Sequence, residues 1–165
     1  MAFRLGKKIY SIIVESKYLY NNEAVGMIAL CAVLKHASKL SYSKSMLVLP
    51  FLFHEESVAF LKRSNSVIRS FEEIIVKKVS CFGNFNARYS SLLPISINSI
   101  MILQQCKSIT IDSKFIIYNQ SNALNLDSPG LGKRAVGIVK AAEKLAELLV
   151  KESETSLYLK LRIQI

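Results

Sequence analysis

Apolar and polar positions change period along this chain, and each period marks an element. A short apolar stretch from Lys8 to Val14 reads as a strand or an amphipathic turn. Asn22 then stands as a helix N-cap, with Glu23 in the first turn, where the helix dipole favours negative charge. Ala24 to Leu34 is almost wholly apolar, so this helix is expected to be buried on most sides, with Lys35, His36 and Lys39 at its C-terminal end. Ser41 to Lys44 reads as a polar turn. Met46-Leu47-Val48-Leu49, closed by Pro50, predicts a short buried strand. Glu55 and Glu56 open a short helix reaching Arg63, with His54 expected to help cap it. Ser64-Asn65-Ser66 breaks it, and Ser66 is placed to cap a further helix in which Phe71, Ile74, Ile75 and Val79 keep helical spacing.

Gly83-Asn84 predicts a turn before a helical stretch carrying Phe85, Arg88 and Tyr89. Pro94 suits the first turn of another helix, Ile95 to Cys106. Residues 108–111 and 115–118 flank Asp112-Ser113-Lys114 as a β-hairpin, and Asn119 to Gly130 reads as a polar loop. Leu131 to Lys151 forms a long helix, since Leu131, Ala135, Ile138, Ala142, Leu145 and Leu149 recur three and four apart. Ser153 to Ser156 ends it, and Leu157 to Ile165 alternates apolar and polar as a strand would. The reading is a predominantly helical α+β fold in a single domain spanning 1–165. It has an N-terminal arm or strand at 1–20, a helical core with a β-hairpin at 21–119, and a C-terminal helix and tail at 130–165. Two helices around Leu92-Leu93-Pro94 followed by a hairpin give the core a winged-helix-like order.

Composition sharpens this picture. Hydrophobic residues make up 51% and charged residues 21%, which excludes a disordered chain. A mean hydropathy of +0.29 is high for a small domain and predicts apolar surface covered by partners. No membrane span accounts for it: the longest run without formal charge, Tyr89 to Cys106, is broken by serines, asparagine, glutamines and Pro94. Cys31, Cys81 and Cys106 each sit among apolar neighbours, as buried reduced thiols do, and a cytoplasmic location is expected. Net charge is +10, and Ile74 to Ala142 carries eight basic residues against two acidic ones. A basic middle of this kind faces DNA or an acidic protein.

Candidate chemistry is sparse. Gly130-Leu131-Gly132-Lys133-Arg134 lacks the distant glycine and the hydroxyl residue of a nucleotide P-loop, although a helix start bearing Lys133 and Arg134 suits a DNA phosphate. Base reading by residues 95–106 is disfavoured, because that helix has no charge. His36 and His54 show no nucleophile partner, the cysteines lack zinc-ligand spacing, and no carboxylates pair. The chain is therefore expected to be no enzyme, with no cofactor and no metal. Lys77, Lys78, Lys133, Arg134 and Lys140 are the candidate contacts to DNA or to an acidic partner. In the tail, Leu157, Leu159, Leu161 and Ile163 would join a partner's sheet edge, or else pair inside the domain with residues 12–14 or with the hairpin.

Short motifs also resemble a known family. Asn21-Asn22-Glu23-Ala24 opening an apolar helix, then Leu47-Val48-Leu49-Pro50-Phe51-Leu52-Phe53-His54, then Asn84-Phe85-Asn86-Ala87-Arg88-Tyr89 with Leu92-Leu93-Pro94, are similar to the middle component of three-component ABC ATPase defence systems, including the Lamassu antiphage and antiplasmid type. The resemblance runs from about residue 20 to the end. It departs at Leu161-Arg162-Ile163-Gln164-Ile165, where that family usually has a Gly-Val-basic-Pro segment. It implies a non-catalytic adaptor joining an SMC-like ABC ATPase, which senses DNA, to an effector, often a nuclease, kept inactive until sensing. DNA would then be met mainly through the complex. The rival expectation is a stand-alone winged-helix-like DNA-binding regulator.

Overall fold

The structure, a computed structural model, describes residues 20–63 and 70–164. The strand or turn expected at 8–14 and the cap expected at Ser66 lie outside these residues. Helix α1 (Glu23–Ala37) runs through the centre. The Asn22 side chain accepts from the Val25 amide and Glu23 occupies the first turn, as the capping pattern requires. All six residues from Ala29 to Leu34 are at most 1% exposed, so this stretch of α1 is covered on every side. It packs chiefly against α7 (Lys133–Lys151) and next against α6 (Phe85–Gln105).

A three-stranded antiparallel sheet closes one part of the fold, in the order β1 (Lys39–Ser41), β3 (Phe115–Tyr118), β2 (Ile109–Asp112). The hairpin is as expected; β1 is an addition, because Lys39 leaves the helix after Ser38 at positive φ and pairs with Ile117. Leu40 faces Ile116 across this register, and both are buried. Ser41 is no simple turn residue. Its hydroxyl accepts from the Lys44 amide and caps α2 (Tyr42–Met46).

The strand expected at Met46–Leu49 is a helix instead. α3 (Val48–Leu52) carries Pro50 at its third position, where an amide would have no intrahelical acceptor. All five of its residues are buried, and a run apolar on every side has no period that separates strand from helix. α4 (Glu55–Leu61) follows, with both carboxylates in its first turn. His54 precedes it without capping a backbone amide; its Nδ1 meets the Ser57 hydroxyl at 2.9 Å. α5 (Phe71–Lys77) is capped by Ser70 and buries Phe71 and Ile74, whereas Val79 lies in a 3₁₀ turn and is 67% exposed. Phe51, Phe71, Phe82 and Phe85 form an aromatic knot joining α3, α5 and α6, the Phe51 and Phe85 rings lying 4.6 Å apart.

The winged-helix-like centre needs correction. No turn occurs at Leu92–Pro94, because residues 85–105 are one helix with Pro94 inside it. The buried series Phe85, Tyr89, Leu92, Ser96, Ser99, Leu103 keeps helical spacing through the proline, and Pro94 faces solvent, where water can satisfy the carbonyl left without a donor. Packing along this seam outweighs the cost of the proline. The tail is also corrected: α8 (Glu154–Lys160), capped by Ser153, replaces the expected strand. Its Leu157 and its C-cap Leu161, four residues apart, are buried on one helical face, while Leu159 is 73% exposed and Ile163 is half-buried. Of the cysteines, Cys31 and Cys81 are buried, but Cys106, just past the end of α6, is exposed.

Candidate functional site

The five candidate cations do not form one patch. Lys77 ends α5 and pairs with Glu73 one turn back, while Lys78 caps that helix and is half-buried. Lys133 and Arg134 open α7, and Lys140 follows Lys133 by seven residues, two turns along the same face. Lys133 is exposed. The Arg134 guanidinium is half-buried, lies 3.8 Å from the Tyr20 ring centroid and 4.8 Å from that of Phe53, and donates to the Tyr20 carbonyl and to Asn21 Oδ1. Burial holds its pKa below the usual guanidinium range. Gly132 is the N-cap and gives α7 no side-chain cap.

Lys133 and Arg134 instead edge a groove of about 500 Å³ between α4 and the first turns of α7. Phe53, Val58, Gly137 and Ile138 form its floor, and Lys62 and Glu55 complete the rim. Lys77, Lys78 and Lys140 do not line it.

A second groove of about 500 Å³ shares no lining residue with the first among the described residues. Tyr42, Met46, Tyr89, Tyr158, Leu159 and Glu154 line it. Tyr158 donates to the Ser43 carbonyl at 2.9 Å, its hydroxyl lies 3.3 Å from that of Tyr89, and the two rings stand nearly perpendicular, which ties α8 to α2 and α6. Burial pushes the Tyr158 hydroxyl above its ordinary pKa. Of the four tail candidates, Leu159 and Ile163 reach this groove, while Leu157 and Leu161 anchor α8 to the core. The sequence pointed to Leu159 and Ile163 of this site but not to Tyr42, Tyr89 and Tyr158, which meet only through the packing of α2, α6 and α8.

Polar side chains inside the fold tie its elements together. Arg88 donates to the carbonyls of Pro50 and Cys81 and lies over the Phe85 ring, tying α6 to α3 and to the 3₁₀ turn. Burial and the Arg88 cation together lower the His54 pKa. Ser96 and Ser99 are buried and donate to the carbonyls of Leu92 and Glu23. Among the described residues no buried side-chain polar atom lacks a partner, and no His, Cys, Asp and Glu cluster has the arrangement of a metal site. None of their helices is long and apolar enough to cross a membrane.

A family model described as ABC-three component (ABC-3C) system Middle Component 3 matches residues 12–165. The chain belongs to this family. No curated protein and no solved structure matches it. As an ABC-3C middle component, it is one part of a three-component system. The segments that carried the resemblance are concentrated where the fold is held together. Asn22 starts the central helix, residues 47–53 are all buried, and Arg88 joins three elements.

Proposed function

We propose that this ABC-3C middle component is a non-catalytic adaptor of a Lamassu-type antiphage and antiplasmid defence complex. It links an SMC-like ABC ATPase that senses DNA to a nuclease effector and helps to hold that effector inactive until sensing. An adaptor of this kind needs two separate docking surfaces. The observation that carries the reading is the pair of grooves of about 500 Å³ that share none of the described residues. Exposed apolar side chains supply further contact area: Val76 at 77%, Leu159 at 73% and Met101 at 53% exposure. Met101 and Ile97 lie on the charge-free stretch of α6, and depletion of charge marks the core of protein interfaces. The free cysteines accord with action in the cytoplasm.

Co-expression of the three components, with an affinity tag on this chain, tests the proposal. Both larger components are expected to be retained through size exclusion. The chain alone is expected to bind DNA weakly. Recovery of a solitary monomer from cells expressing all three components would refute the adaptor reading. Tight, steeply salt-dependent DNA binding by the isolated chain would favour the regulator.

A further inference from the structure

We infer that the groove between α4 and the start of α7 receives an acidic segment of a partner component, anchored by one large apolar side chain above Gly137. This rests on the adaptor reading and names the chemistry that one of its two surfaces recognises. Gly137 is the first observation. It lies inside a 19-residue helix, is not at positive φ, and among the described residues a Cβ built there meets only the Val58 Cγ1 atom, at an ordinary 3.6 Å. Nothing among the described residues requires glycine there, yet a helix-interior glycine is less stable than alanine. Its missing side chain leaves room over a floor of Phe53, Val58 and Ile138. Apolar concavities of this kind take the anchoring side chain of a partner.

Charge is the second observation. Lys62 and Lys133 are exposed on the rim, and neither forms an ion pair with a described residue; among the described residues Glu55 is the single acid lining the groove. Lys140 extends the positive side two turns along α7. The complementary occupant is acidic. Residues 1–19 do not meet that requirement, since Arg4, Lys7, Lys8 and Lys17 stand against Glu15.

The same geometry disfavours nucleic acid. Arg134 is already bonded to Tyr20 and Asn21 and stacked on two rings, and Lys144 donates to the Arg63 carbonyl. Glu143 and Glu147 are exposed on the same helix as Lys140. Phosphates seated on this apolar floor would lose water without gaining enough donors. Carboxylates at the rim, with an apolar side chain between them, satisfy both parts of the groove.

The complete complex, co-expressed with p-benzoylphenylalanine replacing Ala59, provides the test. Photolysis is expected to join the groove to one segment of one partner component, with a net negative charge and a Leu, Met or Phe beside the cross-link. Cross-links to residues 1–19, to a second copy of this chain or to DNA would overturn the inference, as would none in an assembled complex. As a second measurement, Lys62→Glu combined with Lys133→Glu is expected to weaken retention of that partner at least about tenfold, with retention of the other partner unchanged. Gly137→Leu is expected to do the same by filling the floor. Circular dichroism melting of each variant separates lost binding from lost folding, and the cross-link decides if a variant does not fold. An intact complex indifferent to these changes refutes the groove and leaves the adaptor reading standing. Failure of the unaltered components to assemble refutes both.

Discussion

Two glycines inside helices are expected to answer the same substitution with opposite signs. Gly26 lies in α1 against Ser99 of α6. A Cβ there would overlap the Ser99 hydroxyl and press on Ser99 Cβ at 3.3 Å and Leu49 Cδ2 at 3.4 Å. The hydroxyl cannot swing away at no cost, because Ser99 is fully buried and donates to the Glu23 carbonyl at 3.2 Å. Alanine gains about 0.5–1 kcal/mol over glycine in a helix interior. Leaving a buried hydroxyl unpaired costs about 1–3 kcal/mol, and overpacking costs about 1–3 kcal/mol more. Cost exceeds gain, so Gly26→Ala is expected to destabilise the protein by about 2 kcal/mol. Removing the hydroxyl first, with Ser99→Ala, should bring the further cost of Gly26→Ala near zero, a coupling of at least about 1 kcal/mol. Gly137→Ala has room and should stabilise by about 0.5–1 kcal/mol. Urea denaturation followed by far-UV circular dichroism measures all four variants. An equal cost of Gly26→Ala with and without Ser99 would refute the steric reasoning, as would a gain in stability from Gly26→Ala alone.

Further consequences can be measured on the same protein. Lys160 bridges Glu72 and Glu152, and its hydrogen bond holds the Glu72 carboxyl at about 2 instead of 4.5. Because that pKa is lowered on folding, its contribution is complete above pH 4.5 and is lost as pH falls towards 2; Lys160, whose pKa is raised, contributes below 10.5 and loses its share above it. Lys160→Met should therefore lower stability at neutral pH, and its difference from the unaltered protein should shrink between pH 4.5 and 2 in acid titrations. Burial raises the Cys31 thiol to about 11, and Cys81 is buried too. A thiol-specific disulfide reagent should label Cys106 rapidly in the native protein, and the other two only on unfolding; peptide mapping that finds Cys31 labelled first would contradict this. Arg88→Met strips two carbonyls of their donor and should cost about 2–4 kcal/mol, read from the urea midpoint. An unchanged midpoint would remove Arg88 from its structural role.

Local signals were strongest where one residue type has one physical use. Asn22 as a cap, Glu55 and Glu56 in a first turn, the seam of α7 and the hairpin at 109–118 could all be read from spacing and side-chain chemistry. Local rules failed where burial over a longer span outweighed them. Pro94 marks a helix start by itself, yet the buried seam from Phe85 to Leu103 continues through it. Leu157, Leu159, Leu161 and Ile163 alternate like a strand, but Ser153 caps a helix there and Leu157 and Leu161, four apart, enter the core together. The uniformly apolar run at 46–49 had no period to read.

Composition and pattern by themselves determined a helical α+β chain with a buried central helix and an excess of cationic and apolar residues, because burial and charge are properties of residue type and order. Tertiary structure alone decided which cations share a groove. It brings Lys62 to Lys133, draws Arg134 inward onto Tyr20 and Phe53, leaves Lys77 on another element, and assembles three distant tyrosines into a second groove. Convergence of this kind depends on how helices cross, and crossing is set by contacts between residues far apart in the chain.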